Sequence, residues 1–460
     1  MKTLQLPILV LAILLVGCQS AKKDDEKKIA VNDTYEMFCS SCHGKQLQRF
    51  KVLNTKEKDL DYIKGTIVKG KLSVGMPPFG SSLNEEQVSS LAEFIKEYDY
   101  SDNNISSVDS TNRPYRLETV VDDLEVPWGL EFLPDGDLLI SERKGSLIRY
   151  SKSMGKTEIN GIPPVLAVGQ GGLLDIKLHP NYAENGWLYI AYSYISVKDT
   201  SSGNTAIIRA KLEDGALTNI EELYKGTHAN NTNRHYGSRI VFDSEGFLYF
   251  SNGDKAQRDD FPQSLDNTNG KIHRLHDDGR VPADNPFVDQ EGAIASIYSY
   301  GHRNPQGLAI HPFTGDIWEC EHGPKGGDEI NIIRKGLNYG WPIISYGINY
   351  DGTNFTEITE KEGMEQPIHY YVPSIATCGM AFVDSKIYPG WESNLLIGSL
   401  NSNYLERLEL NGNKVIYQEK LLEELDSRVR NVKMGPDGYI YVSVEEPGRI
   451  LKLLPSQNPQ

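Results

Sequence analysis

Cysteine is scarce in this chain, with five residues in 460. That count excludes a small disulfide-stapled scaffold and makes each thiol worth assigning. Positive charge is also in deficit. Lys and Arg number 47 against 63 Asp and Glu, for a formal net charge of −16. A surplus of this sign excludes a nucleic-acid partner and a basic face for anionic lipid. Long apolar runs are missing after the first 17 residues, so no later segment reads as a membrane span. What remains is a long, mildly acidic chain with enough apolar residues to bury more than one core.

The one apolar run, Leu4 to Gly17, follows the short basic start Met1-Lys2-Thr3. It is too short and too close to the terminus for a membrane-spanning helix and reads as an export signal over residues 1–17. Leu15-Val16-Gly17-Cys18 has the form of a bacterial lipoprotein cleavage site, which makes Cys18 a lipid anchor and residues 18–28 a polar tether. The expected location is the cell envelope, at a membrane facing the periplasm or the exterior.

Cys39-Ser40-Ser41-Cys42-His43 carries the clearest chemistry. Two thiols at this spacing can each add to one vinyl group of a haem, and the adjacent His43 then falls on the iron. Met76, in Gly75-Met76-Pro77-Pro78-Phe79, is the candidate second ligand, since a thioether favours ferrous iron and raises the potential. A zinc half-site or a redox dithiol is the alternative, but no second cysteine pair completes a zinc site. Cys320 and Cys378 remain, and spacing alone leaves open whether they pair.

Residues 29–100 read as a small all-α domain. Leu60, Ile63 and Ile67 share one helical face, and a second helix begins at Asn84 with Val88, Leu91, Phe94 and Ile95 on one stripe. Helix, haem motif, helix, Met-Pro loop, helix is the order of class I cytochromes c. Residues 101–113, rich in Ser, Asn and Asp, form a linker. From 114 to 460 the pattern turns all-β. An apolar segment, a turn with Pro, Asp or Gly, and a short strand recur six times, beginning at Leu130, Ile176, Ile240, Leu308, Met380 and Val432. Six strand–turn–strand units predict a six-bladed β-propeller, with a β-sandwich as the alternative.

Within this region Gly169-Gln170-Gly171-Gly172-Leu173-Leu174-Asp175, His235-Tyr236-Gly237-Ser238-Arg239, and Tyr300-Gly301-His302-Arg303-Asn304-Pro305-Gln306-Gly307 occur in order. Glu321-His322-Gly323-Pro324, Asp328-Glu329-Ile330-Asn331 and Asn338-Tyr339-Gly340-Trp341-Pro342 follow. Together these motifs resemble the glucose/sorbosone dehydrogenase family over about residues 115–455. The resemblance implies a propeller that holds pyrroloquinoline quinone (PQQ) and calcium, and oxidises aldose sugars to lactones. Such a reaction needs a base for the anomeric hydroxyl and an acceptor for the C1 hydride.

Residue by residue, the resemblance makes His235 the base, Gln170 and Arg303 its catalytic neighbours, and Arg303, Asn304, Arg428 and Arg430 contacts of PQQ. An imidazole suits proton abstraction near neutral pH, and guanidinium forks suit the three carboxylates of PQQ. Gly323 and Pro324 match backbone ligands of the cofactor-bound calcium, and Asp328, Glu329 and Tyr339 match a second calcium site. Two positions depart from soluble glucose dehydrogenase. Asn401 stands where that enzyme has a cofactor-contacting Lys, and Lys255 stands where it has Gln, so both are assigned to PQQ with altered charge.

The expected partners are a sugar substrate, the membrane reached through the lipid anchor, and a downstream acceptor such as a respiratory-chain component or a soluble cytochrome. Two other functions fit the same fold. A non-catalytic binding propeller would need none of His235, Arg303, Arg428 and Arg430, and a calcium-dependent hydrolase would have no use for a haem. A sorbosone-like aldehyde or another alcohol is the alternative substrate.

Overall fold

The computed structural model describes Val31, Thr34, Tyr35, Cys39, and residues 58–70, 78–80, 82–97 and 115–455. The chain divides into two compact units. Among the described residues no helix is long and apolar enough to cross a membrane. Cys18, Cys42, His43 and Met76 lie outside the described residues.

In the N-terminal unit, α1 (Leu60–Lys69) starts where the Asp59 carboxylate accepts the Tyr62 N–H at 2.6 Å. It stops at Gly70, whose φ of 67° few other residues tolerate. Helix α2 (Glu85–Glu97) opens with a reciprocal cap: Gln87 N–H donates to Asn84 Oδ1 at 2.9 Å, and Asn84 N–H donates to Gln87 Oε1 at 3.0 Å. Ile63 and Ile67 from α1 pack with Val88, Leu91, Ala92 and Ile95 from α2, and Cys39 of the haem motif is buried against the same cluster. Phe79 and Gly80, just past Met76, donate their N–H groups to Ile67 O and Val68 O at the end of α1.

The C-terminal unit begins with β1 (Tyr115–Leu124). Blade one is β2 (Pro127–Phe132), β3 (Leu138–Glu142), β4 (Leu147–Ser151) and β5 (Gly155–Ile159). Blade two is β6 (Leu173–Leu178), β7 (Trp187–Ile195), β8 (Gly203–Glu213) and β9 (Ala216–Lys225). Blade three is β10 (Ile240–Phe242), β11 (Leu248–Asn252), β12 (Lys271–Leu275) and β13 (Ile297–Tyr300). Blade four is β14 (Pro305–Ile310), β15 (Ile317–Glu321), β16 (Asp328–Ile333) and β17 (His369–Tyr371). Blade five is β18 (Thr377–Phe382), β19 (Leu395–Ser399), β20 (Leu405–Asn411) and β21 (Lys414–Leu421). Blade six joins β22 (Val429–Met434), β23 (Ile440–Val444) and β24 (Gly448–Pro455) to β1 as its outermost strand.

The first strands of the blades touch in the closed order β2–β6–β10–β14–β18–β22–β2. They therefore ring a central axis, and the fold is a six-bladed propeller. Pairing of Tyr115 with Pro455 through Leu124 with Gly448 latches the two ends of this unit and closes the ring. Each blade buries its faces against its neighbours. Leu139, Leu173 and Ile190 fill the space between blades one and two, and Trp318, Phe382 and Ile397 that between blades four and five.

All six sequence repeats fall on the first strand, first turn and second strand of a blade. These strands are covered on both faces and so read as near-continuous apolar runs. The outermost strands do not: β5 and β21 are largely exposed, and their sequences look like loops.

Candidate functional site

Strand direction alone gathers the site. Gln170 precedes β6, His235 precedes β10, Arg303 and Asn304 precede β14, and Arg428 precedes β22, which begins Val429-Arg430. Second strands run antiparallel to first strands, so residues after β11, β15 and β19 reach the same end. Lys255, Gly323, Pro324 and Asn401 are those residues.

His235 is 8% exposed, and its Nδ1 lies 2.6 Å from Asp254 Oδ1. Asp254 is buried two residues past β11, where it also accepts the Trp341 Nε1–H at 2.8 Å and the Ala256 N–H at 2.7 Å. Burial would raise the Asp254 pKa, but His235, Arg303 and these hydrogen bonds hold it below the usual carboxylate range. The carboxylate therefore assigns the ring hydrogen to Nδ1. Nε2 keeps the lone pair and has no protein partner among the described residues. Burial first, then the Arg303 charge, push the His235 pKa below 6.5, and Asp254 offsets them in part. Gln170 Oε1 takes the His235 N–H at 2.7 Å. His235 itself sits at φ 52°, a left-handed conformation stabilised by these contacts.

Arg303 is nearly buried, with its guanidinium 5.3 Å from the Trp341 ring centroid. Its Nη1 donates to Gly323 O at 2.8 Å and His322 O at 3.1 Å. Asn304 Oδ1 accepts the Gly237 N–H at 3.1 Å, which joins blades three and four beneath the site. His322 lies close by, its pKa held well down by burial and then by Arg303, and its Nε2 is buried without a partner among the described residues.

Arg428 and Arg430 project to the same side, as their spacing predicts. Both reach Glu445, just past β23: Arg430 Nε and Nη2 lie 2.7 Å and 2.6 Å from Oε1, and Arg428 Nη1 lies 3.5 Å from Oε2. Glu445 is buried, which by itself would raise its pKa, yet the charges of Arg430, Arg428 and Arg143 bring it down to about 2. Lys255 is fully buried, with Nζ 3.3 Å from the Tyr236 ring centroid and no hydrogen-bond acceptor among the described residues. Burial drives its pKa well down. Asn401 Nδ2 donates to Ser374 O at 2.9 Å.

The second calcium set is only partly gathered. Glu329 and Tyr339 line one small cavity with Arg303, Glu321, His322 and Gly323. Asp328 is committed elsewhere: its carboxylate accepts from Gly323 N, Ser374 Oγ and Ala376 N, and burial raises its pKa to about 6. The Tyr339 hydroxyl donates to Ile332 O. Instead, Glu319 and Glu321, alternate residues on β15, bring carboxylates within 4.8 Å of His302. Cys320 and Cys378 are both free thiols, with Cys320 Sγ donating to the Cys378 carbonyl at 3.0 Å.

Residues 124–452 match the family model described as "Glucose / Sorbosone dehydrogenase". The chain belongs to that family. Residues 29–95 match the model of "Cytochrome C oxidase, cbb3-type, subunit III", so this family member carries an N-terminal cytochrome c domain. "Aldose sugar dehydrogenase YliI" of Escherichia coli (strain K12) is 41% identical over 346 residues, covering 74% of this chain and 92% of that protein. The solved structure of the soluble aldose sugar dehydrogenase from Escherichia coli in the apo-form superposes with a TM-score of 0.72 at 39% identity, over 74% of this chain and 100% of that one. A PQQ-bound aldose sugar dehydrogenase from Streptomyces coelicolor superposes at 0.61 with 28% identity, over 74% and 98%. The propeller of this family member is thus aldose sugar dehydrogenase-like.

The donor set fits a polyanionic quinone. Guanidinium groups outnumber the buried carboxylate they share, and Lys255 Nζ and His322 Nε2 are buried nitrogens without partners among the described residues.

Proposed function

We propose that this protein oxidises an aldose at its anomeric carbon to the lactone, with PQQ and calcium bound at the arginine-lined end of the propeller, and delivers the electrons to its own haem c. The observation that carries this reading is His235 held by Asp254 within reach of Arg303. His235 Nε2 takes the proton of the C1 hydroxyl, and Asp254 keeps the ring oriented and steadies the imidazolium that forms. When bound, PQQ supplies the carbonyl that accepts the C1 hydride. Arg303, Asn304, Arg428, Arg430 and Lys255 hold that anion, with Asn401 at its edge. Gly323 and Pro324 offer backbone oxygens to calcium, and Glu329 and Tyr339 line the place for a second ion.

The haem side rests on Cys39, Cys42, His43 and Met76. A haem takes one electron at a time, so it empties a two-electron site in two steps, and covalent linkage replaces a diffusing acceptor by a high effective concentration. Cys18 anchors the chain in the cell envelope, where the next acceptor is a respiratory-chain component or a soluble cytochrome.

Exchange of the base tests this reading. His235→Gln is expected to keep haem and PQQ binding while sugar-dependent turnover collapses. Near-normal turnover in that variant would overturn it.

A further inference from the structure

Trp341 lies in the long connection between β16 and β17, and that connection is tied down where it meets blade three. Asn338 and Gln263 pair reciprocally through their side-chain amides: Asn338 Nδ2 donates to Gln263 Oε1 at 2.8 Å, and Gln263 Nε2 donates to Asn338 Oδ1 at 3.0 Å. The Trp341 N–H donates to Gly301 O at 2.9 Å, and its carbonyl accepts from Gln263 Nε2 at 2.8 Å. Only glycine suits position 301, where φ is 78° and a Cβ would stand 2.2 Å from Asn338 Oδ1. The ring is fixed as well. Trp341 is buried, and its ring meets Phe355 edge to face with centroids 5.2 Å apart.

This fixed ring touches both halves of the site. Its Nε1–H donates to Asp254 Oδ2 at 2.8 Å, and the Arg303 guanidinium lies 5.3 Å from its centroid. Asp254 Oδ1 serves His235 Nδ1 and the Ala256 N–H, so Trp341 holds the second carboxylate oxygen. An indole N–H only donates, and it exchanges no proton with the pair. It stops the carboxylate from turning about its Cβ–Cγ bond and draws off part of its charge. Both effects reach His235. The direction of the carboxylate sets where Nε2 points, and its charge sets how firmly the ring holds a proton.

We propose that Trp341 is a positioning residue for sugar oxidation, whose indole N–H locks the Asp254 carboxylate and so aims Nε2 of His235 at the substrate hydroxyl. This rests on the reading of His235 as the base. Without the N–H, the carboxylate keeps more charge for the imidazolium, and the acid limb of kcat moves to higher pH. That is opposite to the move expected when the carboxylate itself is removed. The other titratable and charged groups acting on the pair are Arg303, Arg234 and His322 for His235, and Lys255 and Lys271 for Asp254. All of them stay in place when Trp341 is exchanged.

The test uses the full-length haem protein with PQQ and calcium, and two variants that divide the indole. Trp341→Phe keeps an aromatic face and loses the N–H. Trp341→His loses the outer ring, but its Nε2 takes the position of the indole Nε1 and can donate. Trp341→Phe is expected to lower kcat about 10-fold, to leave KM and the PQQ Kd within about twofold of the parent, and to move the acid limb of kcat to higher pH. Trp341→His is expected to recover part of the lost kcat. Parent-like kcat in Trp341→Phe, or an acid limb that stays in place, would overturn the inference. So would a higher kcat in Trp341→Phe than in Trp341→His, the order expected if the ring only fills space. A second readout uses the cofactor-free protein, where the indole N–H resonance of Trp341 is expected to move upfield in Asp254→Asn. A resonance that does not move would overturn the contact. His235→Gln without turnover beside a parent-like Trp341→Phe would overturn the inference alone, whereas a parent protein that oxidises no sugar would overturn the reading of His235 and the inference with it.

Discussion

The imidazole Nδ1 of His235 and the carboxylate Oδ1 of Asp254 stand 2.6 Å apart, although the two residues come from opposite ends of a β-hairpin in blade three. That contact decides which ring nitrogen is the base. The other oxygen of Asp254 is held by Trp341 from the long connection inside blade four, so two blades fix one proton acceptor.

Asp254→Asn is therefore expected to lower kcat by about 100–10,000-fold with little change in PQQ affinity. Asp254 accepts three hydrogen bonds, and an amide cannot accept from both the His235 and the Trp341 donors without turning its NH2 toward one of them. The pH profile provides the specific signature. His235 acts in its neutral form, so activity is lost as pH falls through its pKa, which lies below 6.5 in the parent. Asp254 raises that pKa, so removing the carboxylate moves the acid limb to still lower pH. An acid limb that stays in place would argue against the contact.

Glu445 makes a pH prediction of a different kind. Its folded-state pKa is about 2 against an ordinary 4.5. A depressed carboxylate contributes stability that is fully present above 4.5 and is lost as pH falls from there toward 2. By linkage the contribution is about 3 kcal/mol. The melting temperature of the parent should therefore drop more steeply between pH 5 and 3 than that of Glu445→Gln. Parallel acid curves would show that the arginines do not depend on this carboxylate.

Met76→Ala separates the two redox centres. The substitution is expected to leave dye-linked sugar oxidation at the parent rate while reduction of the haem by sugar slows at least about tenfold, because losing the thioether lowers the haem potential. Haem reduction at the parent rate would remove Met76 as the second ligand.

The legible part of this molecule is the part covered on both faces. First and second strands of every blade carry compact apolar runs around a turn, and glycines with φ of 89°, 84° and 78° at 136, 246 and 438 mark three of those turns. Strand β1 carries no such signal, because it has no turn of its own and pairs with a strand more than 300 residues away, a partnership no local pattern encodes.

The site shows the same division. His235, Gln170, Arg303, Asn304, Arg428 and Arg430 sit in dense motifs just before first strands. Asp254, Glu445, Glu319 and Glu321 look like ordinary surface charges until the blades close and bury them. A local signal did exist for two of these groups. Asp254 follows the apolar strand β11 at the site end, and Glu319 and Glu321 alternate with buried residues on β15. The change to Lys255 has a local answer too, since its Nζ lies over the Tyr236 ring.

The most direct measurement is the visible spectrum of the oxidised haem protein with calcium, recorded as PQQ and then an aldose are added. The account predicts reduced-haem bands that appear only when PQQ and sugar are both present, and that fail to appear in His235→Gln. Haem that stays oxidised with both present, in a protein that binds PQQ, would contradict electron delivery from the propeller to its own cytochrome domain.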